Sequence, residues 1–162
     1  MAEPTVKQGN KYFANTLYEG NGTAIGSGGK TITGLEFQPD FTWIKNRDAT
    51  DSHSLYDSSR GVTKQIESDN TSAETTESEG LTSFTSDGFT LGSLDQVNTN
   101  NESFVGWNWK ANGGTTASNS NGSITSTVQA NTTAGFSIVQ YTGTGSAATV
   151  GHGLSSAPEW FI

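Results

Sequence analysis

The chain has 162 residues and a mass of 17.0 kDa, enough to bury the core of one domain with a piece of another. Eight Lys plus Arg stand against 16 Asp plus Glu, and the net charge of −8 excludes the basic stripe that would neutralise phosphates or anionic lipid. There is no cysteine, which removes disulfides, thiolate chemistry and Cys-based metal sites.

Only 31% of the residues are hydrophobic and the mean hydropathy is −0.51, so disorder is the competing expectation. It fails because only 15% of residues are charged and the aromatic residues sit in short alternating runs. Met1-Ala2-Glu3-Pro4-Thr5 has neither the basic start nor the apolar core of a signal peptide. No run approaches the roughly 18 apolar residues of a membrane span, so membrane insertion is not expected.

Residues 1–10 are polar and read as a linker. A first strand is expected over residues 11–19, where Tyr12, Leu17 and Tyr18 alternate imperfectly with polar neighbours. Residues 20–30 form a Gly-rich loop without the Gly-Lys-Ser/Thr ending of a phosphate loop, and read as a hairpin loop. Strands follow at Thr31–Thr33 and Phe41–Asn46, then a short strand and turn over Ser54–Gly61. Residues 64–80 are rich in Glu, Ser and Thr without an apolar stripe, and read as a long exposed loop.

Leu81–Phe84 and Phe89–Leu91, separated by Thr85-Ser86-Asp87-Gly88, carry the strongest hairpin signal. The clearest strand is Ser103–Lys110. Phe104, Gly106 and Asn108 fall on one face, and Val105, Trp107 and Trp109 on the other. Three large apolar side chains at alternate positions predict that Val105, Trp107 and Trp109 face the core; an exposed aromatic binding platform is the alternative. Ala111–Asn121 reads as a linker or long loop, and Ser123–Gln129 with Gly135–Thr142 as a hairpin. The fold class is therefore all-β, an antiparallel β-sandwich with no long helix.

One stretch is written twice. Gly34-Leu35-Glu36-Phe37-Gln38-Pro39-Asp40 and its apolar continuation return as Gly153-Leu154-Ser155-Ser156-Ala157-Pro158-Glu159-Trp160-Phe161-Ile162. The approach matches as well, Phe13 to Gly22 against Phe136 to Gly145. A spacing of about 120 residues is too long for a solenoid unit and suits a tandem β domain. The expected organisation is a linker at 1–10, a sandwich domain at 11–134, and at 135–162 either the start of a second repeat or the closing strands of the first. The second copy ends in mid-strand, so the chain is expected to be a piece of something longer; a duplicated hairpin within one domain is the alternative.

Residues with chemical potential are few. His53 and His152 lie in polar loops, and no Gly-x-Ser-x-Gly elbow accompanies them. Asp48, Asp51, His53 and Asp57 cluster, but their spacing fits neither a calcium loop nor a zinc motif. Asp57 and Arg60 are spaced for a turn-locking ion pair. Glu67, Asp69, Glu74, Glu77 and Glu79 form an acidic run expected to be a solvated surface. Asn21, Asn70, Asn101, Asn121 and Asn131 open formal glycosylation sequons of the kind that arise by chance in such a composition. No catalytic, cofactor-binding or metal-binding residue is assigned, and no cofactor is expected.

Taken together, several motifs resemble a tandem domain of large virion proteins in tailed bacteriophages, many of them marine. They are Tyr18-x-Gly-Asn-Gly, the stretch from Gly34 to Arg47, Leu81-Thr-Ser-Phe-x-Ser-Asp-Gly-Phe-Thr-Leu-Gly92, Trp107-x-Trp-Lys, Gly122-Ser-Ile-Thr-Ser-Thr-Val and Ala134-Gly-Phe-Ser-Ile-Val-x-Tyr-Thr-Gly. The resemblance runs from Glu3 to Ile162. It implies a jelly-roll or concanavalin-like sandwich and a non-enzymatic structural or adhesive role in a tail fibre, appendage or capsid-surface fibre. It also implies assembly in the bacterial host cytoplasm into an extracellular particle, with self-association or other virion proteins as partners. A host-surface glycan is a further expected partner; nucleic acid is not. A carbohydrate-binding or polysaccharide-degrading module is the alternative, and exposed aromatic residues would favour glycan binding.

Overall fold

The computed structural model describes residues 9–162. The expected linker lies outside the described residues except for Gly9 and Asn10, which open a 3-10 turn over Gly9–Lys11. Twelve strands follow: β1 (Phe13–Glu19), β2 (Lys30–Ile32), β3 (Phe41–Asn46), β4 (Ser54–Asp57), β5 (Lys64–Glu67), β6 (Thr75–Thr76), β7 (Leu81–Thr85), β8 (Gly88–Leu91), β9 (Ser103–Trp109), β10 (Ala117–Asn119), β11 (Ser126–Asn131) and β12 (Phe136–Gln140). A single helical turn, α1 (Asp95–Asn98), precedes β9.

The strands form a six-stranded sheet in the order β1-β9-β3-β4-β5-β6 and two three-stranded sheets, β2-β8-β7 and β10-β11-β12. Every paired strand runs antiparallel to its neighbour. The large sheet and β2-β8-β7 pack face to face as an antiparallel β-sandwich. Ile44, Tyr56 and Phe104 from the large sheet meet Ile32, Leu81, Phe89 and Leu91 from the small one, with Val97 of α1 and Leu35 closing the core.

The inner face of β9 is the reverse of the one its bulk suggests. Phe104, Gly106 and Asn108 are buried, while Val105, Trp107 and Trp109 are half-exposed on the opposite side. Gly106 sits where space is short on that face: a Cβ there would stand 3.3 Å from the Thr16 methyl of β1, with the Phe89 ring of the facing sheet 3.8 Å away. Asn108 is wholly buried yet satisfied, accepting from Thr42 Oγ1 at 3.0 Å and donating to the Ala14 carbonyl at 3.2 Å. On β3 likewise, Thr42, Ile44 and Asn46 point inward, and Phe41, Trp43 and Lys45 outward.

The β7–β8 hairpin forms where Asp-Gly predicted it, although Gly88 begins β8 and Ser86-Asp87 make the turn. Asp87 does more than turn the chain. Its carboxylate accepts from the backbone of Gly34 at 2.9 Å and Glu36 at 2.7 Å, fixing the start of the repeated stretch. Gly34 sits there at φ 89°, and its repeat counterpart Gly153 at φ 75°, a region that favours glycine.

Two expected loops are partly strands. Within 64–80, β5 pairs with β4 and β6, and Gln65 is buried, accepting a hydrogen bond from the Tyr56 hydroxyl and donating to Gln96 at 2.7 Å. A short ladder needs only a few alternating residues, too few to show as periodicity. Within 111–121, Ala117–Asn119 form β10 against β11. The hairpin expected from 123 to 142 is β11–β12, pairing Asn131 with Phe136 and Thr127 with Gln140. The second apolar run at Trp160–Ile162 forms no strand, and all three side chains are exposed. In the first copy β3 is flanked on both sides, by β9 and β4; among the described residues the second run has no such neighbours.

Replacing Phe104 with Ala should cost about 3–5 kcal/mol, because the ring is fully buried between the two sheets. Urea unfolding monitored by tryptophan fluorescence measures this, and Val105→Ala on the outer face should cost far less.

Candidate binding surface

Outward-facing side chains of the edge strand β1 and its neighbours β9 and β3 build an aromatic surface. Register places Phe13, Trp109 and Phe41 side by side across β1, β9 and β3, and Asn15, Trp107 and Trp43 in the adjacent row. The two rows span about 10 Å across the strands and about 7 Å along them. Trp109 packs against Phe13 with ring centroids 4.9 Å apart and against Phe41 at 5.4 Å. Trp43 and Trp107 meet edge to face at 5.9 Å. Between Trp43, Trp107 and Trp109 lies an open depression of about 230 Å³.

The rings are anchored by the sheet. Trp43 donates its indole N–H to His53 Nδ1 at 2.8 Å, which locks its orientation. His53 is in turn placed by its own backbone N–H, which donates to Asp69 at 3.0 Å. Sequence reasoning put Trp107 and Trp109 in the core; they line this surface instead.

The loop residues weighed as a cation site do not converge, and no metal-holding group of His and carboxylates occurs among the described residues. Asp48 accepts from the Ser103 backbone at 2.6 Å, and Asp51 from the Asn46 amide at 2.8 Å. Asp57 pairs with Arg60 as its spacing predicted, and Arg60 also reaches Glu74 at 3.1 Å. The acidic run is partly structural: Glu67 accepts from Gln96, and Glu79 accepts from the backbones of Ile25 at 2.8 Å and Ser93 at 2.9 Å. His152 lies far along the chain in a polar depression of about 260 Å³, with Asn119, Asn121 and Leu154.

A buried polar junction holds the third sheet against this face. The Asp40 carboxylate accepts from the backbones of Ala111 at 2.7 Å, Gly113 at 3.0 Å and Gly114 at 3.0 Å, and from the Ser58 hydroxyl at 2.7 Å. Gln129 of β11 donates to Ser58 Oγ at 3.0 Å and Ser59 Oγ at 2.8 Å, while its carbonyl accepts from the backbones of Asn112 and Gly114. Asp40 and Gln129 are both wholly buried. The junction seats Phe136 of β12 against the aromatic rows, with centroids 6.2 Å from both Trp109 and Phe41. Phe13 and Phe136, equivalent positions in the repeat, thus contact the same indole. Neither Asp40 nor Gln129 stood out in the sequence; the Pro-acidic pair of the repeat was the only signal for Asp40.

The fold and its outer face define an antiparallel β-sandwich with an open aromatic surface. Residues 8–162 match the model of a family described as a domain of unknown function (DUF7483), and the chain belongs to that family. No curated protein and no solved structure matches it. Among the described residues no helix is long and apolar enough to cross a membrane.

Replacing Asp40 with Ala would strand the backbone N–H groups of Ala111 and Gly113, leave Gly114 with Gln129 alone, and should cost about 2–3 kcal/mol. Amide hydrogen exchange should speed up first at residues 111–114, which distinguishes a loosened junction from general destabilisation.

Backbone N–H donors hold three carboxyls below their ordinary values: Ser103 for Asp48, Ile25 then Ser93 for Glu79, and Gly34 then Glu36 for Asp87. A depressed folded value stabilises above the ordinary value and is lost as pH falls through it. The melting temperature should therefore hold from neutrality down to the ordinary values of 4.5 for Glu and 3.8 for Asp, and drop below them. Thermal melts across pH 7 to 2 check this, and Asp87→Asn should make the acid decline shallower.

Proposed function

We propose that the chain is a non-enzymatic structural module of a tailed-bacteriophage virion, placed in a tail fibre, appendage or capsid-surface fibre. The observation that supports this best is the junction at Asp40 and Gln129. It couples the sandwich to the following sheet through buried hydrogen bonds and a shared tryptophan instead of a loose tether. A repeated domain joined in this way transmits force and keeps a fixed spacing, which a fibre requires. The second copy of the Pro-acidic stretch carries Glu159 where the first has Asp40.

Composition agrees with exposure outside a cell: acidic, free of cysteine and rich in short polar side chains. The carboxylates with defined contacts serve as structural acceptors for backbone amides, Ser58, Asn46 or Arg60. That distribution supports a binding or scaffolding role over a hydrolytic one. In this reading the partners are further copies of the unit and other virion proteins, with the jelly-roll or concanavalin-like sandwich as the building block.

Antibody raised against this chain should decorate purified phage particles whose genome encodes it, seen by immunogold electron microscopy. Labelling of soluble lysate protein alone, with bare particles, would show the proposal to be wrong.

A further inference from the structure

We propose that the depression between Trp43, Trp107 and Trp109 is a binding site for a neutral polysaccharide, taking one or two sugar units. This stands apart from the virion role, since it rests on the surface and not on the repeat.

The chemistry begins with the rings. Indole faces offer a broad, polarisable apolar surface, and a pyranose ring presents a matching face of C–H groups with hydroxyls around its edge. A site for it needs flat apolar contact in the middle and hydrogen-bond groups at the sides. The indole N–H of Trp43 is committed to His53. Among the described residues, those of Trp107 and Trp109 have no protein acceptor, and neither is buried away from solvent. Asn15 lies directly across from Trp107 on β1, exposed, and among the described residues its amide makes no side-chain hydrogen bond. The tryptophans lining the depression thus carry two uncommitted ring donors, and Asn15 adds an amide one strand away.

Charge selects the class of sugar. None of the six residues in the two rows is ionisable. The nearest cation along β3, Lys45, is turned onto the carbonyls of Asn46 and Ala49, at 2.5 and 3.0 Å. An acidic sugar would find no counter-ion here and would meet a protein of net charge −8. A peptide strand could pair only along the outer edge of β1, away from the tryptophans, because β9 and β3 already pair on both sides. The floor lies on the central strands of a six-stranded sheet, so little conformational entropy is lost on binding.

The test is affinity electrophoresis of the 162-residue chain through gels containing laminarin, dextran or galactomannan as neutral probes, or alginate as the acidic one. Retardation by at least one neutral polysaccharide is expected, with none by alginate. On that gel Trp107→Ala should weaken binding by about tenfold or more. Asn15→Ala, an exposed change that leaves packing intact, should weaken it by about threefold. Leu17→Ala, on the same strand face but outside the depression, should leave binding unchanged. Should Trp107→Ala fail to fold, the contrast between Asn15→Ala and Leu17→Ala decides alone. The proposal is overturned by no retardation in any neutral gel, by stronger retardation in alginate, or by full binding in both site variants. Light scattering that shows a dimer dissolved by Asn15→Ala would overturn it as well, giving the depression to a second copy.

Discussion

A buried carboxylate that has no cationic partner among the described residues is an expensive thing to place in a small protein, and much of this structure is arranged around one. Removing Asp40 from water costs several kcal/mol, and only a full set of good donors offsets that. Ala111, Gly113, Gly114 and Ser58 supply them, because the two glycines let the chain curl tightly enough to aim successive amides at one point. The consequence is long-range. Asp40 lies just before β3, Ser58 follows β4, and 111–114 leads from β9 toward β10, so one side chain ties together three parts of the large sheet. Gln129, from the third sheet, then bonds to two of the same groups, Gly114 and Ser58, and to the backbone of Asn112.

The aromatic surface follows from how the core is filled. A sandwich of this size needs large side chains between its sheets, and here the small sheet provides many of them through Phe89, Leu91 and Leu81. The large sheet must yield space in return, which β9 does with Gly106. Asn108 fits inside because Thr42 and the Ala14 carbonyl satisfy its amide. With the inner face settled in this way, alternation sends Trp107 and Trp109 outward, where neighbouring strands add Trp43, Phe41 and Phe13. An aromatic layer on the outside of a sheet costs solvation unless something covers it. Phe136 covers one end, and the open remainder is the part with recognition chemistry.

The repeat and the surface also meet at one residue. Trp109 packs against both Phe13 and Phe136, so the two equivalent positions of the repeated stretch meet at one indole. The Phe136 contact limits how much of the aromatic row stays open, leaving the Trp43–Trp107 side as the accessible part.

By itself the sequence determined the class of fold, most strand positions, the β7–β8 and β11–β12 hairpins, the Asp57–Arg60 pair and the existence of a repeat. These depend on local alternation, turn residues and short spacings, all of which a single chain displays. Tertiary structure decided which face of β9 and β3 is buried, since that depends on the volume arriving from a sheet remote in sequence. It decided that Gln65 and the segment 117–119 belong to ladders, because two- to four-residue strands are defined by their partners and not by their own pattern. It also decided the roles of Asp40 and Gln129, whose donors come from loops about 70 and 15 residues away. A polar residue that looks like surface becomes a structural centre only when distant backbone amides are brought to it.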